Sequence, residues 1–229
     1  MIHYHGTPIN PFSAILPMAG RHFCVAWTDG RQLDWCLAHG ASVMLDNGAF
    51  SAWTRGVQTD WADFYAWAAP HLRHPHWAVI PDVIDGDEAA NDALLDACPL
   101  PRALAAPVWH MHESLERLAR LARDYPRVCI GSSGEYANPG NAAWRDRIDA
   151  AWQAIHGTGA HPWVHMLRAM REASDGKWPF ASADSTNVAR NHAGAMNRPA
   201  QEPERMAARI DARNPRYLGR RAHQGNIFA

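Results

Sequence analysis

The chain has 229 residues, of which 47% are hydrophobic, and a formal net charge of −1. This composition provides enough apolar side chains for a folded core and excludes a generally disordered protein. The near-zero charge excludes a basic field over the whole surface, so any contact with a polyanion must come from a local patch.

Short β-type runs alternate with helical patterns along the chain, as in the helical periodicity of residues 114–123 and 141–155. Eight such units without a long interruption predict a closed (β/α)8 TIM barrel of the α/β class, formed by a single domain over residues 1–229. Residues 194–229 are predicted as an irregular loop, a closing helix and a basic C-terminal tail. The predicted strands are Ile2–His5, His22–Trp27, Val43–Asp46, Trp77–Asp82, Ala106–His110, Val128–Gly131, Trp163–Leu167 and Phe180–Asp184.

Two acids stand at strand ends, where a barrel of this type carries its chemistry. The third strand runs into Asp46, then a glycine turn that permits close approach of a backbone or a flat ligand, then Phe50 and Trp53. The eighth strand ends at Asp184. Such a pair can divide the work between a nucleophile and a proton carrier. The alternative for Asp46 is an ordinary Asx turn.

Other strand ends are polar as well. Asp82 ends the fourth strand and His110 the fifth. His165 lies in the seventh strand and Arg168 follows it, and neither is given a role. The sixth strand continues into Gly131-Ser132-Ser133-Gly134-Glu135, whose N–H groups and hydroxyls suit a planar polar ligand. Ordinary loop chemistry is the alternative for that run.

The segment from Leu45 to Gly56 resembles the Asp-Ser-Gly-(Gly/Ala)-Phe segment of tRNA-guanine transglycosylases. It resembles more closely the short phage and bacterial relatives that place 7-deazaguanine bases in DNA. Only this block is specific by itself, and the others gain weight from their order and spacing. The further blocks that follow the family's order are Ile80–Asp85, Pro107–Glu113, Cys129–Glu135 and Phe180–Thr186.

The resemblance implies a barrel that exchanges guanine for a 7-deazaguanine base in a nucleic acid through a covalent Asp–C1′ intermediate. It implies that Asp184 is the nucleophile and Asp46 the proton-transfer residue. His110 stands where the family often has a glutamine. The residues implied to contact the base are Phe50, Asp82, His110, Gly131, Ser132, Ser133 and Glu135.

This chain departs from the tRNA enzymes near its C-terminus. Those enzymes hold a structural zinc through a cysteine cluster, and here no cysteine follows Cys129. We therefore expect no zinc subdomain, no metal and no cofactor, and we expect DNA rather than tRNA as the nucleic-acid partner. A homodimer stays open. Candidate phosphate contacts, with a solvated basic tail as the alternative, are Arg190, Arg198, Arg220 and Arg221.

Two other functions remain open from the sequence. A metal-dependent amidohydrolase would use His3 and His5, a histidine on the fifth strand and an acid on the eighth. Its weakness is the sixth strand, which offers Gly-Ser-Ser-Gly instead of histidine. A barrel that binds a nucleobase or nucleic acid without catalysis is the second alternative.

The four cysteines have no metal-binding or redox spacing, so we interpret them as free thiols of a cytoplasmic protein. No apolar run reaches membrane-spanning length and no signal peptide is recognised, so no membrane partner is expected.

Overall fold

The strands form one parallel sheet that curls into a barrel in the computed structural model, which describes residues 1–197 and 199–213. In this part of the chain the sheet has nine strands, is nearly closed and is surrounded by helices as a single domain. The predicted α/β barrel is therefore confirmed. The strands are β1 Ile2–Gly6, β2 His22–Ala26, β3 Ser42–Asp46, β4 Trp77–Val79, β5 Ala105–Ala106, β6 Val108–His110, β7 Arg127–Gly131, β8 Trp163–Leu167 and β9 Ser182–Ser185.

The barrel closes through Pro107. The strand order is β5-β4-β3-β2-β1-β9-β8-β7-β6, so β5 and β6 are the two ends of the sheet. They are also halves of one predicted strand, interrupted because proline has no N–H group to donate to the sheet. The Ala106 carbonyl accepts from the N–H of Ile80, and the Pro107 carbonyl accepts from the N–H of Cys129, both at 2.9 Å. Eight strand positions therefore complete the ring.

The helices pack outside the sheet, and several begin at a side chain that accepts a hydrogen bond from the first helical turn. Ser114 does so from the N–H of Arg117, as the sequence indicates, and Asn141 from that of Trp144. The helices are α1 Leu33–His39, α2 Ala49–Arg55, α3 Trp61–Ala68, α4 Glu88–Asp96, α5 Leu115–Asp124, α6 Ala142–Gly157, α7 Met170–Ala173, α8 Asn187–Asn191 and α9 Pro203–Asp211. Single 3-10 turns are Phe12–Ala14, Leu16–Met18, Trp27–Asp29, Ala69–His71, Arg102–Leu104 and Gly134–Tyr136.

Alternate strand residues face two separate cores. Outward residues pack against the helices, and inward residues fill the barrel on the amino-terminal side of the strand-end acids. The Tyr4 hydroxyl at the centre accepts from Trp77 Nε1 at 2.9 Å and from Ser42 Oγ at 3.1 Å. Side chains thus fill the interior toward the amino ends of the strands, and a ligand must enter at the carboxyl ends. The inward cluster comprises Tyr4, Cys24, Met44, Trp77, Val79, Ala106, Val108 and Cys129.

Some predicted bounds differ from the structure. The fourth strand ends at Val79 rather than Asp82, since Pro81 cannot continue the ladder, and the last begins at Ser182 rather than Phe180. The predicted closing helix is α9, Pro203–Asp211. Among the described residues no helix combines the length and apolarity required to cross a membrane. The predicted phosphate contacts Arg198, Arg220 and Arg221 lie outside the described residues.

Candidate active site

Asp46 and Asp184 both face the barrel interior at the carboxyl end of the sheet. Asp46 ends β3 on the same face as the inward Met44, and Asp184 lies beside the inward Tyr4 in the ladder between β9 and β1. Each carboxylate keeps some contact with solvent, and the Asp184 side chain is 17% exposed. A ligand in the mouth of the barrel can therefore reach both acids.

The surroundings of Asp46 favour its protonated form. Burial raises the pKa of Asp46 to about 6, and the negative charges of Asp184 and Asp82 act in the same direction. The N–H of Gly48, which donates to Asp46 Oδ1 at 3.0 Å, and the cation of Arg168 oppose this rise in pKa. A carboxyl group with this pKa can both release and take up a proton near neutral pH.

Asp184 is held by a chain of hydrogen bonds from β8. His165 Nε2 lies 3.3 Å from Asp184 Oδ1, and His165 Nδ1 lies 2.8 Å from Ser182 Oγ. Trp163 Nε1 donates to Ser182 Oγ at 2.7 Å, so we infer that the serine hydroxyl donates to Nδ1 and that His165 carries its proton on Nε2. Burial lowers the pKa of His165, which favours this neutral form. His165 therefore donates to Asp184 and fixes the direction of its carboxylate.

Arg168 follows β8 at the rim and bridges the acids and the aromatic side chains. Its backbone has φ of 67°, a conformation that costs a non-glycine residue of the order of 1–2 kcal/mol and is concentrated at functional sites. The guanidinium carbon of Arg168 lies 3.4 Å from the centre of the Phe50 ring. The backbone nitrogen of Arg168 donates to Asp184 Oδ1 at 3.4 Å. Trp53 is 48% exposed next to Phe50, and Arg190 on α8 is also exposed. The rim thus combines cations with aromatic faces.

The glycine turn after Asp46 has a structural role that differs from the sequence interpretation. Gly48 has φ of 73°, and a Cβ atom there would lie 2.8 Å from Thr28 Cγ2. The glycine therefore makes room for Thr28, not for a ligand. Asp46 does form the Asx turn, and its carboxylate nevertheless remains at the interior.

A second polar cluster lies next to Asp46, at the ends of β4 and β6. Asp82 Oδ2 lies 2.9 Å from His110 Nε2, and Asp82 Oδ1 accepts from Asn47 Nδ2 at 2.9 Å. We infer that Asp82 Oδ2 accepts the hydrogen bond from His110 Nε2, which is the tautomer in which His110 Nδ1 is an acceptor. Among the described residues this buried Nδ1 has no hydrogen-bond partner. Gly131 lies beside it, where a Cβ atom would be 3.2 Å away, so the missing side chain at Gly131 makes room for the imidazole.

The loop after β7 contributes less to the interior than the sequence suggests. Ser132 Oγ accepts from Trp144 Nε1 of α6 at 2.9 Å, so its hydroxyl faces the helix layer. Ser133 Oγ lies 2.8 Å from His112 Nδ1, and Glu135 is exposed on a 3-10 turn. Gly131 is the member of this loop that lies beside His110 in the barrel interior.

Sequence reasoning missed Asn47 and Glu113, which form hydrogen bonds to Asp82 and His110. Asn47 holds Asp82, as described above, and the buried Glu113 accepts from the N–H of His110 at 2.8 Å and from Arg117 Nη1 at 2.6 Å. The asparagine within Asp-Asn-Gly and the spacing of three residues between His110 and Glu113 were the available signals.

The histidines required by the amidohydrolase alternative do not meet inside the barrel. His3 and His5 flank the inward Tyr4 on β1 and therefore face outward. His5 Nε2 lies 3.1 Å from Asp211 Oδ1 on α9. Among the described residues, the predicted set of His3, His5, His110 and an acid of the last strand is not assembled.

Comparison with known proteins adds no relative: no family model, no curated protein and no solved structure matches this chain. Its function must therefore be argued from the barrel and the side chains at its mouth.

Proposed function

We propose that this protein is a base-exchange glycosyltransferase that replaces guanine in a nucleic acid, DNA in preference to tRNA, by a 7-deazaguanine base. The observation that carries the proposal is the pair of inward acids with different surroundings. Asp184 receives hydrogen bonds that keep a carboxylate in place, whereas Asp46 has a pKa of about 6 and can change its protonation state.

In the proposed reaction Asp184 Oδ forms a bond to C1′ of the sugar while the C1′–N9 bond to guanine breaks. The negative charge of the carboxylate stabilises the cationic sugar before the bond forms. Asp46 delivers its proton to the leaving guanine and becomes ionised. The 7-deazaguanine then attacks C1′ through N9, Asp46 accepts the N9 proton, and the Asp184 carboxylate leaves.

The cluster of Asp82, Asn47 and His110 offers hydrogen-bonding groups for a base. His110 Nδ1 has no hydrogen-bond partner among the described residues, and we infer that it accepts from an N–H of a guanine or a 7-deazaguanine. Asp82 and Asn47 hold the imidazole in this orientation. A base held here would lie between this cluster and the aromatic rim.

The rim favours a nucleic acid over a free nucleoside as the substrate that carries the sugar. A nucleotide must leave its stack before C1′ can be attacked, at a cost of a few kcal/mol. Stacking on Phe50 or Trp53 offsets part of that cost, and Arg168 and Arg190 supply local positive charge for phosphates. The cytoplasmic location remains a prediction from sequence.

The test is transfer of labelled guanine into defined polymers. The full chain is incubated with labelled guanine and, separately, single-stranded DNA, duplex DNA, tRNA and free guanosine or deoxyguanosine, and label in the product is counted. We expect label in DNA above tRNA. Without an added base, a protein–DNA adduct should survive denaturation.

Three variants show whether any transfer depends on the two acids. Asp184→Asn should abolish the adduct, and Asp46→Asn should slow transfer by about 10²–10⁴-fold, as expected for loss of a proton carrier. Asp146→Asn, an exposed acid on α6, is the matched control and should behave as the unaltered protein. If no polymer or nucleoside is labelled, the exchange proposal is wrong; binding of DNA without labelling would then indicate the non-catalytic barrel.

A further inference from the structure

His3, His5 and Asp211 bring three metal-ligating side chains together on the outer surface of the barrel, between β1 and α9. One ligand atom from each lies within 4.8 Å of the others. His5 Nε2 is 3.1 Å and His3 Nδ1 is 3.6 Å from Asp211 Oδ1. Within residues 1–197 and 199–213 it is the one histidine, cysteine and acid group with this spacing.

The two imidazoles are buried but incompletely bonded. His3 is 4% and His5 is 0% exposed, yet the buried Nδ1 atom of each makes no hydrogen bond with the described residues. Buried polar atoms are bonded in most proteins, and an exception often marks an ion or a water. One nitrogen of each imidazole therefore has no hydrogen-bond partner among the described residues.

The atoms that face one another in this group are His3 Nδ1, which is unbonded, His5 Nε2 and Asp211 Oδ1, and the surrounding groups orient them. Ser185 Oγ lies 2.9 Å from His3 Nε2, which leaves His3 Nδ1 facing the carboxylate. The guanidinium of Arg21 binds Asp211 Oδ2, so Oδ1 faces the two rings. Metal-bound histidines and carboxylates commonly have outer partners of this type. The Asp211 side chain is 32% exposed, which gives an ion access from solvent.

We propose that His3, His5 and Asp211 bind a divalent transition-metal ion, for which Zn²⁺ is the natural probe. Two imidazoles and one carboxylate are a common ligand set for Zn²⁺, and a water completes four-fold coordination. The ligands come from the first strand and from the last described helix, so the ion fastens α9 to the barrel. The site lies outside the cavity that contains Asp46 and Asp184, and it does not depend on the proposed exchange reaction.

The test is a titration of the full chain after treatment with a chelator and dialysis. Co²⁺ is added first, because a four-coordinate Co²⁺ site absorbs visible light, and Zn²⁺ then displaces it. We expect one ion per chain by elemental analysis and a higher melting temperature with Zn²⁺. His5→Gln and Asp211→Asn should abolish the absorption, and Ser185→Ala should weaken binding about 10–100-fold.

The matched control is His76→Gln. His76 is equally buried, but its Nδ1 accepts the N–H of Val43 elsewhere in the barrel, so this variant should bind Co²⁺ normally. Circular dichroism checks that each variant folds. If His5→Gln does not fold, Asp211→Asn decides, since its carboxylate is partly exposed. The proposal is overturned if the unaltered chain binds no Co²⁺ or Zn²⁺, or if Asp211→Asn binds them as tightly, and guanine transfer is unaffected by either outcome.

Discussion

The raised pKa of Asp46 predicts that its charge destabilises the folded protein near neutral pH. Asp46→Asn removes that charge and keeps a side-chain oxygen that can accept the Gly48 N–H. The folded-state pKa of about 6 exceeds the ordinary value of 3.8, so the folded protein binds this proton more tightly than the unfolded chain does. The resulting stabilisation is complete below about pH 4 and is lost as the pH rises through about 6.

The magnitude follows from the difference between these two pKa values. At about 1.4 kcal/mol for each pH unit, full ionisation of Asp46 costs the folded state about 3 kcal/mol. Solvent contact of the carboxylate reduces this cost, so we expect Asp46→Asn to be more stable by about 1–3 kcal/mol at about pH 7.5. The difference between variant and unaltered protein should disappear near pH 4, where both side chains are uncharged.

The assay is urea unfolding followed by tryptophan fluorescence between about pH 4 and pH 8. Asp146→Asn serves as the control, because an exposed carboxylate without a described partner should show no comparable gain. If Asp46→Asn is no more stable than the unaltered protein at about pH 7.5, the charge of Asp46 does not destabilise the fold. The same conclusion follows if the difference in unfolding free energy is equal at both ends of the pH range.

Three further substitutions test other contacts of the site. His165→Leu should lower kcat for guanine transfer about tenfold or more with little change in KM, because leucine has no donor for Asp184. Steady-state kinetics across pH measures this, and an unchanged kcat would contradict it. Glu113→Gln should lower the unfolding free energy measured in urea by about 1–3 kcal/mol, because the buried Arg117 loses its closest carboxylate and keeps only that of Asp92. An unchanged unfolding free energy would contradict this. Phe50→Ala should raise KM for DNA about fivefold or more through lost stacking, with circular dichroism unchanged, and an unaltered KM would exclude Phe50 from the base contact.

The fold could be predicted from the sequence because each strand is short, apolar and followed by a turn signal. The interruption at Pro107 also has a local cause, the missing N–H group. The side of the sheet that each residue faces could not be predicted, since it depends on the register around the closed ring. Tyr4 turns inward to meet Ser42 and Trp77, and this sends His3 and His5 outward.

The candidate site was only partly accessible to sequence reasoning for a related reason. Strand ends identify Asp46 and Asp184 as rim residues, because their positions follow from strand order alone. The bond between Asp82 and His110 joins residues 28 positions apart, and no local pattern encodes it. The hydroxyl of Ser132 is likewise claimed by an indole of α6, which only the packed structure reveals.

The charges of the three acids in the barrel interior are offset unevenly. Asp82 has both oxygens bonded, to Asn47 and His110, and Asp184 receives an imidazole and a backbone N–H. Asp46 has a single backbone N–H and lies in the field of the other two carboxylates. A proton entering this group of acids is therefore expected on Asp46. The fold thus leaves one acid to exchange protons while hydrogen bonds hold the other two in place, and this is the division of work that the proposed displacement at C1′ requires.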